Sequence, residues 1–367
     1  HFELPFKMVV LFNYSFVNTD TLHPFFTIQG CKNAALQVPC GKEKIMPQLS
    51  PLSQMPSPNE LRSTAEAIAP LIHVTPVLTC AALDEMVGAN LYFKCENFQK
   101  IGAFKMRGGA SAALRLTEAQ RSRGLATHSS GNHAQAIARA AQYLGVPAYI
   151  VMPHDAPAVK IAAVRDYGAT ITYCNNTPAE RQAALEEVVA STGATFIHPF
   201  DDWNVIAGQA TCAMELLEHT PDPLDILIAP VGGGGLLSGT ALAAHYFSPH
   251  SVVWSAEPEN VDDAYRSLQS GQIEYNVDNR TIADGLRTNL GERTLQVILQ
   301  HVPRIFLVTE EEIVNAMRHI WERMKIIIEP SCAVPFAAAL RYRDDFAGKQ
   351  VGIILTGGNV DVEKLPF

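Results

Sequence analysis

From residue 57 onward, short runs rich in Val, Ile and Leu alternate with segments of helical character. This alternation constrains the fold more than any other property of the chain. The runs at 90–96, 125–129, 148–152, 170–174, 195–198, 226–231, 252–257, 304–309 and 351–356 read as strands. Segments 132–144, 158–166, 178–190, 310–324 and 333–342 read as helices. Apolar strands that each feed a helix predict α/β architecture with parallel sheets covered on both faces. The strands are too many for one compact sheet, so two domains are expected. No internal repeat or long linker separates them, which predicts that one is inserted in the other. Ser57-Pro58-Asn59-Glu60 marks the first helix start, with proline just inside the first turn.

Composition narrows the class of function. A chain of 367 residues, 47% hydrophobic, can bury a sizeable core. Its net charge of −9 comes without a basic stripe, which argues against nucleic acid as a partner. No apolar run approaches the ~20 residues needed to cross a bilayer, so no membrane partner is expected. Seven scattered cysteines without C-x-x-C spacing argue against a disulfide framework or zinc site and suit a reducing, cytoplasmic setting. Residues 1–45 carry aromatics without periodicity, and Met46-Pro-Gln-Leu-Ser-Pro51 reads as a start. They are expected to be an extension outside the fold, with an organelle-targeting segment as the alternative.

Four segments at strand-to-helix turns carry the chemistry. Gly232-Gly-Gly-Gly235, after the strand 226–231, lets backbone N–H groups wrap a phosphate at a helix N-terminus. The spacing misses the dinucleotide pattern, although Glu257 lies near where a ribose-binding acid would sit. Lys105, in Gly102-Ala-Phe-Lys-Met-Arg-Gly108, opens a helical run, where positive partial charge and burial would favour the free amine. Such an amine could form a Schiff base with an aldehyde cofactor. Thr127-His-Ser-Ser-Gly-Asn-His133 concentrates hydroxyls, an amide and N–H groups that suit a carboxylate, with Ser130 or Asn132 available as a helix cap. Leu355-Thr-Gly-Gly-Asn-Val360 sets a hydroxyl at the end of a buried strand.

Together these motifs resemble the fold-type II pyridoxal-phosphate enzymes (tryptophan synthase β-like), and within them the serine racemase and serine/threonine dehydratase branch. The resemblance runs from about residue 57 to about residue 361 and includes His198-Pro-Phe-Asp-Asp202 and Ile206-Ala-Gly-Gln209. It implies a large cofactor domain at 46–123 and 201–367 and a small substrate-loop domain at 124–200. It assigns Lys105 to the cofactor linkage and the α-proton, with Phe104 packed beside the ring. Gly232, Gly233, Gly234, Gly235 and the Leu236 amide would hold the phosphate, Asn132 the ring hydroxyl and Thr356 the pyridine nitrogen. Ser129, Gly131, Asn132 and His133 would cradle the substrate carboxylate, and Ser130 would be the acid/base on the opposite face. It also implies a divalent cation (Mg²⁺, Mn²⁺ or Ca²⁺) on Glu257, the Val261 carbonyl and Asp263, hard oxygen ligands suited to such ions. Ala103, Gly109, Ala134 and the Cys332-Ala-Val-Pro-Phe336 stretch depart from the common pattern.

The expected activity is dehydration of a β-hydroxy amino acid (L-serine, L-threonine or 3-hydroxyaspartate) to a 2-oxo acid and ammonia. Serine racemase is the alternative, with both activities in one enzyme possible on these residues, and a homodimer is implied by the resemblance. A nicotinamide-dependent oxidoreductase, from a different class, rests on the glycine turn and Glu257 but leaves Lys105 and the Ser129–His133 cluster unexplained.

Overall fold

The structure, a computed structural model, describes residues 48–367, which belong to one compact unit. The extension expected at 1–45 lies outside the described residues. The first helix, Pro58–Ile68 (α1), starts as the sequence indicates: Ser57 and Glu60 form a reciprocal capping box. Val77–Leu78 (β1) and Ala81–Val87 (α2) lead into Asn90–Cys95 (β2), then Lys105–Leu114 (α3) and Glu118–Arg123 (α4).

The chain next builds Leu125–His128 (β3), Asn132–Leu144 (α5), Ala148–Pro153 (β4), Ala158–Asp166 (α6), Thr170–Cys174 (β5), Pro178–Thr192 (α7) and Thr195–Phe196 (β6). These four strands form a separate, all-parallel sheet in the order β5-β4-β3-β6. After Trp203–His219 (α8) come Ile226–Pro230 (β7), Gly235–Phe247 (α9), Val252–Pro258 (β8), Asp263–Ser270 (α10) and Glu292–His301 (α11). Arg304–Val308 (β9), Glu310–Met324 (α12), Pro330–Arg341 (α13), Arg343–Phe346 (α14) and Gln350–Leu355 (β10) complete the fold. The larger sheet has the order β1-β2-β10-β7-β8-β9 and is parallel except for β1.

Both faces of the larger sheet are buried, which explains its unbroken apolar strands. Leu91, Phe93 and Cys95 join Val351, Ile353 and Leu355 in a core that includes α12 and α13. Tyr92, Leu227, Ala229 and Ile354 face the other way, toward α8 and α9. Helix α3 packs with α5 and the strands of the smaller sheet in a third core, and it lies directly against α8. A Cβ on Gly208 would sit 2.4 Å from the Arg107 carbonyl oxygen, so glycine permits this α3–α8 approach. Helix α3 therefore occupies the seam between the two sheets, with Lys105 as its first residue.

One strand was not expected, and two element boundaries need correction. Strand β1 is antiparallel and only two residues long, too short to register as a strand pattern. The strand expected at 195–198 ends at Phe196, because the Ile197 carbonyl accepts from Thr127 Oγ1 (2.9 Å) and His133 Nε2 (3.3 Å). The helix expected at 333–342 begins three residues earlier, with Pro330 in the first turn where proline costs nothing.

Candidate active site

Lys105 is half-buried and its Nζ donates to the Pro199 carbonyl at 2.8 Å. Burial pulls its amine down from the ordinary lysine range to about 8. The neighbouring Phe104 ring lies 5.3 Å from Nζ, and the Phe104 N–H donates to the Thr356 carbonyl at 2.9 Å. An isolated bridge between Ala103 and Gly357 reinforces that junction. The approach to Lys105 includes Ile101 at φ 63°, a left-handed conformation that is costly for a β-branched residue. Asn359 secures it: Nδ2 donates to the Ile101 carbonyl at 2.7 Å and to Asn132 Oδ1 at 2.9 Å.

The Pro199 acceptor leads straight to the glycine turn. A Cβ on Gly233 would stand 2.3 Å from the Phe200 ring, and one on Gly235 would stand 3.0 Å from Phe200 Cβ. Gly234 adopts φ 85° and caps α9, so the first-turn N–H groups of Gly235, Leu236 and Leu237 have no intrahelical acceptor. Glycine is required here by both space and backbone angle. The turn is a concave set of N–H groups at a helix N-terminus, suited to an anion.

A second open helix start faces the same region. Helix α5 begins at Asn132 after Gly131, with no side-chain cap. The expected capping by Ser130 or Asn132 does not occur, because both side chains are engaged elsewhere. Ser130 Oγ accepts from Arg181 Nη2 at 3.0 Å, and Asn132 Nδ2 donates to Glu329 Oε1 at 2.8 Å. Ser129 Oγ instead accepts the Gly131 N–H at 3.2 Å, which leaves its own proton to donate. Gly131 also makes room for Lys160, whose Nζ would lie 3.2 Å from an added Cβ. Lys160 is buried and pairs with Asp284 at 2.6 Å. His133 donates through Nε2 to a carbonyl, so its Nδ1 is an acceptor, buried and without a partner. Burial and the nearby Lys105 charge hold the ring well below the usual histidine range. A carboxylate at this turn would therefore meet the backbone N–H of His133 rather than its ring.

Two further buried groups touch these turns, Glu329 through Asn132 and Thr356 through Phe104. Glu329 is buried; desolvation raises its carboxyl to about 7 against the opposing charge of Lys160, and Oε2 has no partner. Thr356 is also buried, and its Oγ1 lies 3.2 Å from Cys332 Sγ. Cys332 in turn accepts the Gly357 N–H at 2.8 Å and contacts the Gly357 carbonyl at 2.7 Å. The unusual cysteine thus anchors the backbone around Thr356.

The structure places Lys105, Phe104, Thr356, Asn132, Ser129–His133 and the Gly232–Gly235 turn around one set of shared contacts. Glu257, Val261 and Asp263 form a separate group at the end of β8 and the start of α10. Glu257 accepts the N–H groups of Ala264 (3.2 Å) and Tyr265 (2.9 Å), an N-terminal anchor for α10. Fully buried at the end of β8, Glu257 is poorly placed to bind a ribose. Asp263 accepts from Asn276 at 2.5 Å through Oδ1, while its buried Oδ2 is unpartnered. Among the described residues no group of three or more His, Cys, Asp or Glu side chains gathers as a metal site.

Sequence reasoning gave no role to Pro199, Phe200, Lys160, Arg181, Asp284, Glu329 or Arg107, although it quoted the segments that hold Pro199, Phe200 and Arg107. Arg107 and Glu329 had a local signal, inside Lys105-Met-Arg-Gly-Gly109 and before Pro330. Arg181 and Asp284 had none.

The chain is similar to several known proteins. A beta-hydroxyaspartate dehydratase from Paracoccus denitrificans is 47% identical over 85% of this chain and 99% of its own length. A serine racemase from Dictyostelium discoideum is 47% identical over 83% of this chain and 95% of its own. Maize serine racemase superposes with a TM-score of 0.81 at 42% identity, covering 83% of this chain and 94% of that one. The family described as pyridoxal-phosphate dependent enzyme matches residues 68–357, and the chain belongs to that family.

Proposed function

We propose that this enzyme dehydrates a β-hydroxy amino acid bearing a second carboxylate, 3-hydroxyaspartate, to a 2-oxo acid and ammonia. The observation that carries the reading is the Arg181 guanidinium at the Ser129–His133 turn. Its Nη2 donates to Ser130 Oγ at 3.0 Å and also to Asn176 Oδ1; the residue is half-buried and keeps an unpartnered Nε. A half-buried guanidinium with a donor still unused can take a carboxylate.

The pocket fits pyridoxal phosphate: a side chain at Gly233 would collide with Phe200, and the N–H groups of α9 stand open to an anion. Gly232, Gly233, Gly234, Gly235 and Leu236 would hold its phosphate, Asn132 its ring hydroxyl and Thr356 its ring nitrogen. When bound, the cofactor draws electrons from the substrate's Cα–H bond. Lys105, with an amine near 8, is free often enough at neutral pH to take that proton. The open N–H groups of α5 and the Ser129 hydroxyl would hold the α-carboxylate, while Arg181 takes the distal one. A hydroxyl partner for the ring nitrogen favours rapid loss of the β-hydroxyl over a long-lived carbanion.

Serine racemase is the second reading, supported by the same contact. A hydroxyl accepting from a guanidinium gives up its proton more readily, which suits Ser130 as acid/base on the opposite face. The proposal also extends to a divalent cation at Glu257, the Val261 carbonyl and Asp263. Two buried acids, each raised by burial, with Asp263 Oδ2 unpartnered, suit a hard cation. Residues 124–200 are proposed as a small domain inserted in the large one, supported by the smaller sheet lying wholly within them. The resemblance supports a homodimer, and the free Cys80, Cys95, Cys174, Cys212 and Cys332 fit a cytoplasmic setting.

The test is chiral product analysis with L-serine, L-threonine and 3-hydroxyaspartate, for the native chain and Arg181→Met. The native enzyme should prefer 3-hydroxyaspartate, and Arg181→Met should lower kcat/KM for it about ten- to hundredfold, the worth of a charged hydrogen bond. Serine turnover should stay within about threefold, since serine has no second, distal carboxylate for Arg181. Equal losses on all substrates, or a native preference for serine with D-serine as product, would favour the racemase reading.

A further inference from the structure

Arg107 lies two residues beyond Lys105 in α3, roughly 200° around the helix, so the two side chains leave on opposite sides. Its side chain is fully buried, and every N–H donor is used. Nε and Nη2 donate to Glu96 at 2.7 and 2.8 Å. Nη1 and Nη2 donate to Glu215 at 2.7 and 2.8 Å, and Nη1 donates to Thr211 at 3.1 Å. Lys94 completes the set, donating to Glu215 at 2.7 Å and to the Thr75 carbonyl at 2.8 Å. Thr75 Oγ1 donates to Glu96 at 2.6 Å. Two cations and two anions form a neutral hub linking β2, the turn after it, α3 and α8.

Stability is a poor explanation for this hub. Removing four charges from water costs as much as their attraction returns, and apolar replacements of similar volume are often neutral. What a fully satisfied fork supplies is direction. Glu215 and Thr211 belong to α8, and the Pro199 carbonyl that accepts from Lys105 lies just before that helix. Glu96 closes the turn after β2, which leads into the Ile101–Ala103 approach to Lys105. The hub therefore fixes both the rotation of α3 and the element that carries the amine's acceptor. Rotating a helix by about 10° would swing a lysine tip by roughly 1.5 Å. A misplacement of that size can cost about a hundredfold in a reaction that depends on aligned atoms.

We infer that Arg107 is a positioning residue for Lys105: its five-point attachment to Glu96, Glu215 and Thr211 aims the amine at the reacting centre. The inference rests on the assignment of Lys105 as the cofactor-linked lysine. Arg107→Lys keeps the charge but cannot reproduce the fork. Glu215→Gln loosens only the α8 side and serves if the first variant does not fold.

The experiment adds pyridoxal phosphate to cofactor-stripped full-length protein across a pH series. It follows the visible band, then fixes the linkage with borohydride and maps the modified lysine by peptide mass spectrometry. In the variants, attachment to Lys105 should slow at least about tenfold and its pH midpoint should move up toward that of an ordinary lysine. In the loaded enzyme kcat should fall by a similar factor with KM within about twofold, because substrate binding does not involve Arg107. Folded variants with the native attachment profile and native kcat, altered only in melting temperature, would overturn the inference and leave Lys105 in place. If borohydride fixes no label on Lys105 in the native chain, the lysine assignment itself fails, and the inference with it.

Discussion

Around Arg107, on one side of α3, five N–H donors meet five acceptors. Around Lys105, on the other side, His133 Nδ1 and Glu329 Oε2 are buried without partners, and the Lys105 and Glu329 affinities for protons are displaced to about 8 and about 7. Both regions are buried and polar, so burial does not separate them. Satisfaction does. A native interior leaves few polar atoms unpaired, and where they gather beside displaced titrations they mark a candidate site. One side of the helix is finished by folding; on the proposed function, the other is finished by cofactor and substrate.

The largest effect should come from the unfinished side. Lys105→Ala should lower turnover at least about thousandfold and abolish the borohydride-sensitive visible band, since the proposed function has one amine both link the cofactor and move the proton. Its melting temperature without cofactor should stay near the native value, because removing a buried amine relieves a desolvation cost. A large loss of stability would mean that Lys105 belongs with the structural groups. In the native protein, attachment should quicken as pH rises toward about 8 and level off above it, because only the deprotonated amine reacts. A midpoint near that of an ordinary lysine would contradict the burial seen here.

The finished side should respond in the opposite sense. Arg107→Met leaves Glu96 and Glu215 without their guanidinium, and an uncompensated buried charge of this kind costs about 3–5 kcal/mol. Denaturant unfolding of the cofactor-free protein measures it. A loss below about 1 kcal/mol would show that water reaches the hub, in which case it resembles the Lys105 side more than its hydrogen bonds indicate.

This contrast also explains what the sequence could show. Lys105 and the Gly232–Gly235 turn stood out in the sequence because each is a local pattern at a strand-to-helix turn, and Thr356 because it ends a buried strand, although no α-helix follows it. The parallel strands were legible because burial on both faces leaves continuous apolar runs. Arg107 stood in plain view, but its partner Glu215 is 108 positions away and nothing near that glutamate marks it. Arg181 meets Ser130 across 51 positions, and Asn132 meets Glu329 across 197. Such pairings are decided by how sheets and helices stack. The cap expected at Ser130 or Asn132 failed for the same reason: distant partners took both side chains.

Glu329 tests the contrast most finely, with the smallest effect. Burial raises its carboxyl to about 7, Asp284 adds to that, and Lys160 and the Asn132 hydrogen bond oppose it. A carboxyl whose folded value exceeds its unfolded one stabilises the fold below the unfolded value, and that contribution is lost as pH rises through the folded one. The cofactor-free native protein should therefore lose stability from about pH 4.5 to about pH 7 on this account. Glu329→Gln keeps an acceptor for Asn132 and cannot ionise, so it should not share the loss. Melting curves of the two proteins should nearly coincide near pH 4 and separate by a few degrees near pH 8, with the variant higher. A separation that does not change with pH, or that places the native protein higher near pH 8, would mean that Glu329 is ionised and held by Lys160. In that case Glu329 and the Lys160–Asp284 pair form a second satisfied cluster, and the unfinished region shrinks to Lys105, His133 and the two open helix starts.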